Sequence, residues 1–256
     1  QHRHRAEEAA QGQRARVAHE DLRRMRITAL TTDGSATVPR VRWLARLEPA
    51  APTVRQPATL TLEACDDGSL QWRRPPLAVP EGLLLRPLGE TELETTRDGE
   101  RCTAHRWHWA LLPTASGRFH VALPPMEAGK FGQRLRFAPP PAAFEVLPLP
   151  AWLPAAAAVG APEVQAEPLQ VPARVGEPLA WKMVVEGSYT AQALQDLLRL
   201  QLESLPAAVF AAYPPQVEPL MAPEAAPRHA VTVFVLPAER GTLQLPALQL
   251  PWYDPQ

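Results

Sequence analysis

The chain has 256 residues, a net charge of −1 and 46% hydrophobic residues. This composition supplies enough apolar residues for folded cores, which excludes global disorder, and it lacks the basic surplus that nucleic-acid binding needs. Proline is abundant, at 31 residues, more than twice its usual share of about 5%. Because proline lacks a backbone N–H, it sits at strand starts, edges and bends, so its abundance favours many short strands.

The amino-terminal segment differs in composition from all that follows it. Residues 1–28 contain seven arginines and four acidic residues but no proline. We interpret this segment as a charged lead-in, either helical or disordered; a flexible tail and a basic segment beside an anionic bilayer are the two alternatives. The sequence shows no signal peptide and no apolar run of about 18 residues. Since it begins with Gln, we expect it to belong to a longer protein.

Residues 29–148 predict a first β-sandwich domain. Leu60, Leu62 and Ala64 alternate with polar residues, which indicates a half-buried strand. That strand ends at the turn Asp66-Asp67-Gly68, and Leu70–Trp72 is predicted as its return strand. The other strands of this domain are predicted at Arg40–Leu47, Leu83–Leu88, Glu90–Thr95, Cys102–Leu112, 119–123, Leu135–Phe137 and Phe144–Leu147.

A sequence repeat indicates a second domain of the same kind. His105–Pro113 and His229–Pro237 are both alternating strands, each followed by three residues, a glycine and a second alternating segment that ends in proline. Upstream, Gln56-Pro57 and Glu177-Pro178 open corresponding strands. Two copies of one unit predict two β-sandwich domains in tandem. The six positions expected in the two cores are Trp107, Trp109, Leu111, Val231, Val233 and Val235.

The segment between the copies is rich in proline, and the second copy contains an insertion. Residues 149–162 are predicted to form a stiff connector with Trp152 docked against one domain, and residues 163–256 form the second domain. Within it, leucines recur every three or four residues and predict a short amphipathic helix, Thr190–Ser204, which the first domain lacks. Residues 214–227 are predicted to be an extended loop. The leucines are Leu194, Leu197, Leu198, Leu202 and Leu205.

The polar residues do not form a reaction motif, so we predict no enzyme activity, no cofactor and no metal. His105 and His108 are three apart on a strand and point to opposite faces, so they cannot share an ion. His120 is expected to approach His108 across a hairpin, but two histidines without a third ligand make a poor metal site. The two central tryptophans, Trp107 and Trp109, have two interpretations: core residues, or a surface that stacks a sugar ring.

The two cysteines, Cys65 and Cys102, leave one question open. Both lie on the face of their strand opposite the apolar residues, so they are either a disulfide pair or two separate thiols. A disulfide here would close a loop of 37 residues and stabilise the fold by roughly 3–4 kcal/mol.

Several stretches resemble the BatD family of bacterial oxygen-tolerance (aerotolerance) proteins. They lie in order along residues 38–255, and the sequence Trp-Leu-Pro-Ala at Trp152 resembles the connector between the family's domains. The stretches are Arg101–Pro125, Pro150–Ala155, Val175–Leu179, Tyr213-Pro214, Leu236–Gly241 and Leu250–Pro255. Typical members carry a further sandwich domain before these two, where this sequence has only the charged lead-in, and the segment Ala191–Leu205 looks longer and more helical than the family's usual linker.

The resemblance implies immunoglobulin-like domains on the periplasmic side of the bacterial inner membrane, anchored in the full-length protein. It also implies association with von Willebrand A-domain membrane proteins and a MoxR-type ATPase, and it supplies no catalytic residues. We therefore expect a non-enzymatic interaction scaffold; the alternative is a carbohydrate- or peptidoglycan-binding sandwich. The partner contact is predicted on the polar face of the helix, formed by Gln195, Asp196, Arg199 and Glu203.

Overall fold

The computed structural model describes residues 39–73, 77–97, 99–169, 172–204, 209–211, 213–221, 225–242 and 247–255. The predicted lead-in 1–28 and the predicted strand after Gly241, at 243–246, lie outside the described residues. Val41–Gln256 forms one compact unit, and only Pro39 and Arg40 are described from the unit before it. Two hydrophobic cores lie in residues 41–147 and 157–255, called here the first half and the second half. The division into two domains at 149–162 stays a prediction.

The first half is built from antiparallel strands in two layers. One layer is a four-stranded sheet with the order β1-β2-β5-β4, and the other contains the sheets β3-β7-β8 and β6-β9. The strands are β1 (Arg42–Glu48), β2 (Ala58–Asp66), β3 (Gln71–Arg73), β4 (Leu83–Arg97), β5 (Glu100–Pro113), β6 (Gly117–Val121), β7 (Met126–Lys130), β8 (Gln133–Phe137) and β9 (Ala142–Val146). The all-β sandwich prediction is confirmed at this level, and an immunoglobulin-like topology stays a prediction.

The core of the first half lies between these layers, because alternate residues of β2 and β5 face the second layer. Leu60 pairs with Trp109 and Leu62 with Trp107, and all four side chains are buried. The second layer contributes Val121, Met126, Ala142 and Val146 to the same cluster. The predicted core positions Trp107, Trp109 and Leu111 are therefore confirmed.

Two strand predictions in the first half were wrong, one in the partner of a strand and one in its length. The segment after Gly68 does not return beside β2; β3 crosses to the other layer and pairs with β7. Its Trp72 packs against the core, so burial of this indole favours the crossing over a local hairpin. The two predicted strands at 83–88 and 90–95 are one long strand, β4, with an irregularity between Pro87 and Gly89. A proline without an N–H is tolerated at such a bulge.

The second half combines a sheet with one helix. The strands are β10 (Ala158–Val159), β11 (Glu163–Ala166), β12 (Leu179–Glu186), β13 (Val209–Ala211), β14 (Gln216–Leu220), β15 (Arg228–Pro237) and β16 (Trp252–Tyr253), and the helix is α1 (Ala191–Leu202). The main sheet has the order β11-β12-β15-β13, β14 also pairs with β15, and β10 pairs with β16 in parallel. The predicted core residues Val231, Val233 and Val235 are buried, as expected.

Helix α1 covers the core of the second half. Thr190 caps its amino terminus by accepting a hydrogen bond from the Ala193 N–H, and Leu194, Leu198 and Leu202 are buried in the core cluster. This confirms the predicted helix and its leucine stripe, apart from Leu205, which lies outside the described residues. An amphipathic helix needs such a surface, since its apolar stripe contributes little until it is buried.

Two predictions about irregular segments in the second half need correction. The predicted loop 214–227 contains strand β14, which pairs with β15 from Gln216 to Leu220. The end of the predicted connector forms strand β10, where Ala158 and Val159 are buried. Trp152 stays largely exposed, with its ring edge against Tyr253 5.9 Å away. Burial of small residues, more than the tryptophan, therefore holds this segment in place.

The sequence repeat is reproduced in the strand register. The opening strands β2 and β12 each pair antiparallel with the long strands β5 and β15, and Pro113 and Pro237 end those long strands. Arg55 N–H donates to the Pro113 carbonyl at 2.8 Å, and Gly176 N–H donates to the Pro237 carbonyl at 3.0 Å. Both donors have positive φ, 67° and 82°. The two copies thus share a backbone turn as well as a hydrophobic pattern.

Candidate functional site

The cysteines predicted as a possible pair are joined in the structure. Cys65 on β2 and Cys102 on β5 form a disulfide with a Cα–Cα distance of 5.7 Å, and both are buried. They lie on the face of the four-stranded sheet that points away from the core, diagonally across adjacent strands. The disulfide therefore covalently links the two central strands of the sheet.

A buried carboxylate lies beside the disulfide on the same face. Glu63 Oε2 is 2.7 Å from Arg106 Nε, and Glu63 Oε1 is 3.0 Å from Arg97 Nη2. Both carboxylate oxygens are therefore paired with guanidinium groups, which is the condition for burying a charge at tolerable cost. With a guanidinium on each oxygen, the carboxylate of Glu63 links β2 to strands β5 and β4 of the same sheet.

A second polar cluster lies at one end of the first core. Asp66 Oδ2 accepts a 2.8 Å hydrogen bond from Trp72 Nε1, and Asp66 Oδ1 accepts one from the Gly68 N–H at 2.8 Å. His105 lies between two carboxylates, with Nε2 3.5 Å from Asp66 and Nδ1 3.3 Å from Glu92. His105 Nε2 makes no hydrogen bond despite that distance, because the angular requirement is not met.

An aromatic ring packs directly against the histidine of this cluster. Trp72 meets Trp107 edge-on at 5.8 Å and contacts His105, so the indole fills the space in front of the histidine. No Ser, Thr or Cys side chain is hydrogen-bonded to His105 within the described part of the chain. We therefore interpret the Asp66–Trp72 hydrogen bond as a structural contact that holds β3 in the second layer.

The histidine predictions are resolved by strand pairing. His105 stacks on Trp107 while His108 shares a 3.0 Å hydrogen bond with Thr61 on the other face, so the two cannot meet. Burial, with a smaller contribution from Arg106, lowers the pKa of His108. His120 faces Ala143 on β9, so its expected approach to His108 was wrong. Among the described residues no group of three or more His, Cys, Asp or Glu side chains could hold a metal ion.

The tryptophans of β5 do not present a stacking surface. Trp107 and Trp109 are buried, and Trp107 Nε1 donates a 3.0 Å hydrogen bond to Glu90 Oε2. Trp181, on β12, is half-buried against the second core. A sugar ring needs an open indole face, so Trp107 and Trp109 give no support to carbohydrate binding.

The polar face of α1, predicted as the partner contact, is largely satisfied within the helix itself. Arg199 lies 3.1 Å from Glu203 and 3.9 Å from Asp196, and all three side chains are exposed. Gln195 turns away from solvent and donates a 3.0 Å hydrogen bond to the Pro215 carbonyl. Exposed ion pairs of this kind contribute little energy and are common on solvated helices. The predicted contact on this face stays a prediction.

An apolar groove, which sequence reasoning missed, lies between the two halves. Its volume is about 560 Å³, within the range of natural binding sites of roughly 300–1,000 Å³. The apolar lining residues include Val79, Leu84, Leu112, Leu220 and Met221. Leu84 is 57% exposed and Met221 is 91% exposed. Exposed apolar side chains gathered in one concave surface indicate a binding site more often than a random surface does.

The groove is bordered by unpaired sheet edges. In the described structure β4 is the last strand of its sheet, and β15 is the single strand that pairs with β14. Leu84 pairs with Leu112 on the groove side, while Leu83 is buried on the core side. Edge strands carry backbone N–H and C=O groups with no strand partner, which another extended chain can pair with. The groove therefore combines apolar side chains with a sheet edge that has no strand partner in the described residues.

A few polar groups also line the groove. His229 is buried, and its Nδ1 has no hydrogen-bond partner among the described residues. Burial lowers the pKa of His229, because an imidazolium loses hydration there. Arg86 and Arg228 also line the groove, one from each half. An imidazole and two guanidinium groups give the groove a polar margin, and Arg228 lies 3.6 Å from Glu186.

One sequence signal was available for this groove. Leu83, Leu84 and Leu85 are consecutive, so both faces of β4 are apolar at this end, where a half-buried strand needs only one apolar face. The second side of the groove comes from β14, whose position depends on its pairing with β15. Local pattern therefore marks Leu84 as unusual but does not supply its neighbours.

Within the described residues, no helix combines the length and the hydrophobicity that crossing a bilayer requires. No protein-family model matches the chain, and comparisons with curated proteins and with solved structures give no match either. The similarity to BatD proteins therefore depends on the sequence stretches quoted above.

Proposed function

We propose that this chain is a non-enzymatic protein-interaction module of an exported protein, and that it binds an extended apolar segment of a protein partner. The observation that carries the proposal is the apolar end of the edge strand β4, Leu83–Arg86, which lies beside the groove and has no feature that prevents pairing with another strand. There, Leu84 and its cross-strand neighbour Leu112 line the groove, and the outer backbone groups of β4 have no described strand partner. A bound strand would pair with this edge and insert alternate side chains into the groove.

The rest of the β4 edge is protected, which localises the contact. Natural edge strands avoid unwanted pairing through charge, proline and bulges. From Pro87 onward β4 has all three, with an irregularity at Pro87/Gly89 followed by Glu90, Glu92 and Glu94. The segment Leu83–Arg86 contains no proline and no bulge, and its single charged residue is Arg86. Protection that stops at the groove supports pairing with a partner at that end of the strand.

The disulfide supports the assignment to an oxidising compartment. Structural disulfides persist in the periplasm and outside the cell and are rare in the cytosol. The Cys65–Cys102 bond is buried between the central strands, where reductants have poor access. On the BatD resemblance, the module lies on the periplasmic side of the inner membrane, is anchored outside this chain, and takes part in aerotolerance or envelope-stress assemblies. Its partners would then be von Willebrand A-domain membrane proteins near a MoxR-type ATPase.

The experiment is a selection of displayed peptides on the purified full chain, followed by affinity measurements on two variants. Leu84→Glu places a charge in the groove and is expected to lower the affinity of selected peptides at least about tenfold. The matched control is Leu44→Glu, on the other edge strand, β1; Leu44 points to the same face of the sheet and is also exposed. It is expected to leave the affinity unchanged.

The mode of binding is tested by amide hydrogen exchange. Bound peptide is expected to slow exchange at β4 residues Leu83–Arg86 and to leave the exchange of Glu90–Arg97 unchanged. Failure to enrich apolar peptides, or equal effects of the two leucine variants, would contradict the proposal. Photo-crosslinking from position 84 in the full-length protein then identifies the natural partner.

A further inference from the structure

The hairpin between β7 and β8 has a two-residue turn, Phe131-Gly132, flanked by the paired residues Lys130 and Gln133. Both turn residues have positive φ, 48° for Phe131 and 79° for Gly132. Two-residue turns with positive φ at both positions match the twist of the strands, and they favour Asn or Asp followed by Gly. Glycine at 132 fits this preference. Phenylalanine at 131 does not, because its Cβ is disfavoured in the left-handed region.

Phe131 gains nothing from its surroundings that would offset this strain. Its side chain is 94% exposed, the highest value among the large apolar side chains that the structure describes. A strained residue that points into solvent indicates selection for something other than folding stability. An exposed aromatic ring at the tip of a narrow hairpin can insert into an apolar environment without the rest of the domain entering it.

The sheet behind this tip is basic on its outward face. Arg73 on β3 and Arg134 and Arg136 on β8 lie on the two strands that flank β7, on the side of the sheet opposite Met126 and Ala128. Arg136 is paired with Glu127 at 3.0 Å. In the described residues, Arg73 and Arg134 form no ion pair.

A shallow cavity of about 680 Å³ adjoins Phe131 on this face and is lined by Arg73, Gly129 and Arg134. Gly129 lies between Gln71 and Arg134 in the sheet and has no side chain, so an anionic group can approach the backbone beside Arg134 there. The tip residue and the two arginines therefore line one surface.

We propose that this hairpin is a membrane-contact element that inserts Phe131 into the interface of an anionic phospholipid bilayer. Aromatic and apolar residues enter the headgroup boundary, and basic residues are attracted to anionic lipid. Phe131 would reach the acyl boundary while Arg73 and Arg134 stand at the level of the phosphates; Lys130 lies on the other face of the hairpin and is paired with Asp67 at 3.3 Å. A protein pocket is the weaker candidate occupant, since one ring without an apolar rim buries far less area than a specific interface needs. The element uses no residue of the groove and is independent of its peptide binding.

The test measures binding of the full chain to vesicles of phosphatidylglycerol mixed with phosphatidylcholine, with pure phosphatidylcholine vesicles for comparison. The main variant is Phe131→Asn, which supplies the residue that the turn prefers. It is expected to raise the melting temperature while weakening vesicle binding at least about tenfold. Leu200→Gln is the matched control, because Leu200 is an exposed apolar residue on α1, away from the hairpin. Its vesicle binding is expected to equal that of the wild-type chain.

The charge requirement is tested with Arg73→Gln and Arg134→Gln. Each is expected to weaken binding to anionic vesicles about fivefold and to reduce its salt dependence. Free glycerol phosphate at millimolar concentration is expected not to compete, and full competition would mean a phosphate site and overturn the proposal. Equal vesicle binding by wild type and Phe131→Asn, or no preference for anionic vesicles, would overturn it as well. Retention of groove peptides by Phe131→Asn is the expected sign that the two sites are separate.

Discussion

Each half of the molecule has its own main sheet, with the same central strand pairing, and the halves differ in what packs over that sheet. In both, an opening strand pairs antiparallel with a long strand that ends in proline, and a positive-φ residue donates its N–H to that proline's carbonyl. In the first half, strands β3 and β6–β9 cover the core, whereas in the second half helix α1 does so. The same strand pairing can therefore be packed against by strands or by a helix, because burying the apolar face of a sheet requires only an apolar surface of the right size.

The comparison extends to equivalent single positions. Arg55 and Gly176 occupy equivalent turns in the two halves, and both have a positive φ. Arg55 also has a side chain, whose guanidinium donates to the Ala157 carbonyl. His105 and His229 are also equivalent, since they pair with Ala64 and Val185 at matching positions of β2 and β12. His105 has carboxylates beside it, whereas Nδ1 of buried His229 has no hydrogen-bond partner among the described residues. Repeats thus conserve backbone geometry more strictly than the polar partners at the ends of the core.

The largest expected effect comes from truncating the core on either side of this comparison. Trp109→Ala is expected to cost about 3–5 kcal/mol and Leu198→Ala about 2–5 kcal/mol, because each leaves a cavity in a closed core. Denaturant unfolding measures both, and Leu200→Ala, on the exposed side of α1, is the control with a cost near zero. If Leu198→Ala were equally harmless, α1 would not be the cover of the second core.

The disulfide tests a feature that only the first half has. Replacing Cys65 and Cys102 by alanine together is expected to lower the free energy of unfolding by about 3–4 kcal/mol, since the bond closes a loop of 37 residues. The measurement is denaturant unfolding of the variant and of the oxidised wild type. A loss confined to probes in the first half, such as Trp109 fluorescence, would show that the halves unfold separately. A loss shared by probes in both halves would show that they are coupled.

The smallest effect concerns pH and the buried histidine of the second half. Burial holds the pKa of His229 below its ordinary value of 6.5, so the folded state keeps this imidazole neutral while the unfolded chain takes up a proton. The contribution of neutral His229 to the free energy of unfolding is complete above pH about 6.5, the pKa in the unfolded chain. It is lost as the pH falls from there through the lower pKa of the folded state. His229→Leu is expected to flatten the decline in melting temperature between pH 7.5 and 5. His108, whose pKa is also lowered, leaves a residual slope; an unchanged slope in the variant would contradict the assignment.

Sequence analysis predicted the parts of the fold that depend on local periodicity. Alternation at Trp107, Trp109 and Leu111 and at Val231, Val233 and Val235 marks buried faces because strand side chains point alternately to two sides. The helix was predicted for the same reason, since its leucines recur with the helical period. The shared register of the two copies also follows from the repeat. These signals are contained within segments of about ten residues, so they need no knowledge of the rest of the chain.

Only the tertiary structure decided which segments come together. β3 left its expected hairpin because Trp72 gains more from burial and its bond to Asp66 than from a local turn. The cysteines were left open by their spacing and are joined because β2 and β5 are neighbours in the sheet. The groove needed two edge strands far apart in sequence, and the strain at Phe131 needed the backbone angle of its turn. Strand order and side-chain exposure arise from long-range burial and pairing, which a local pattern does not contain.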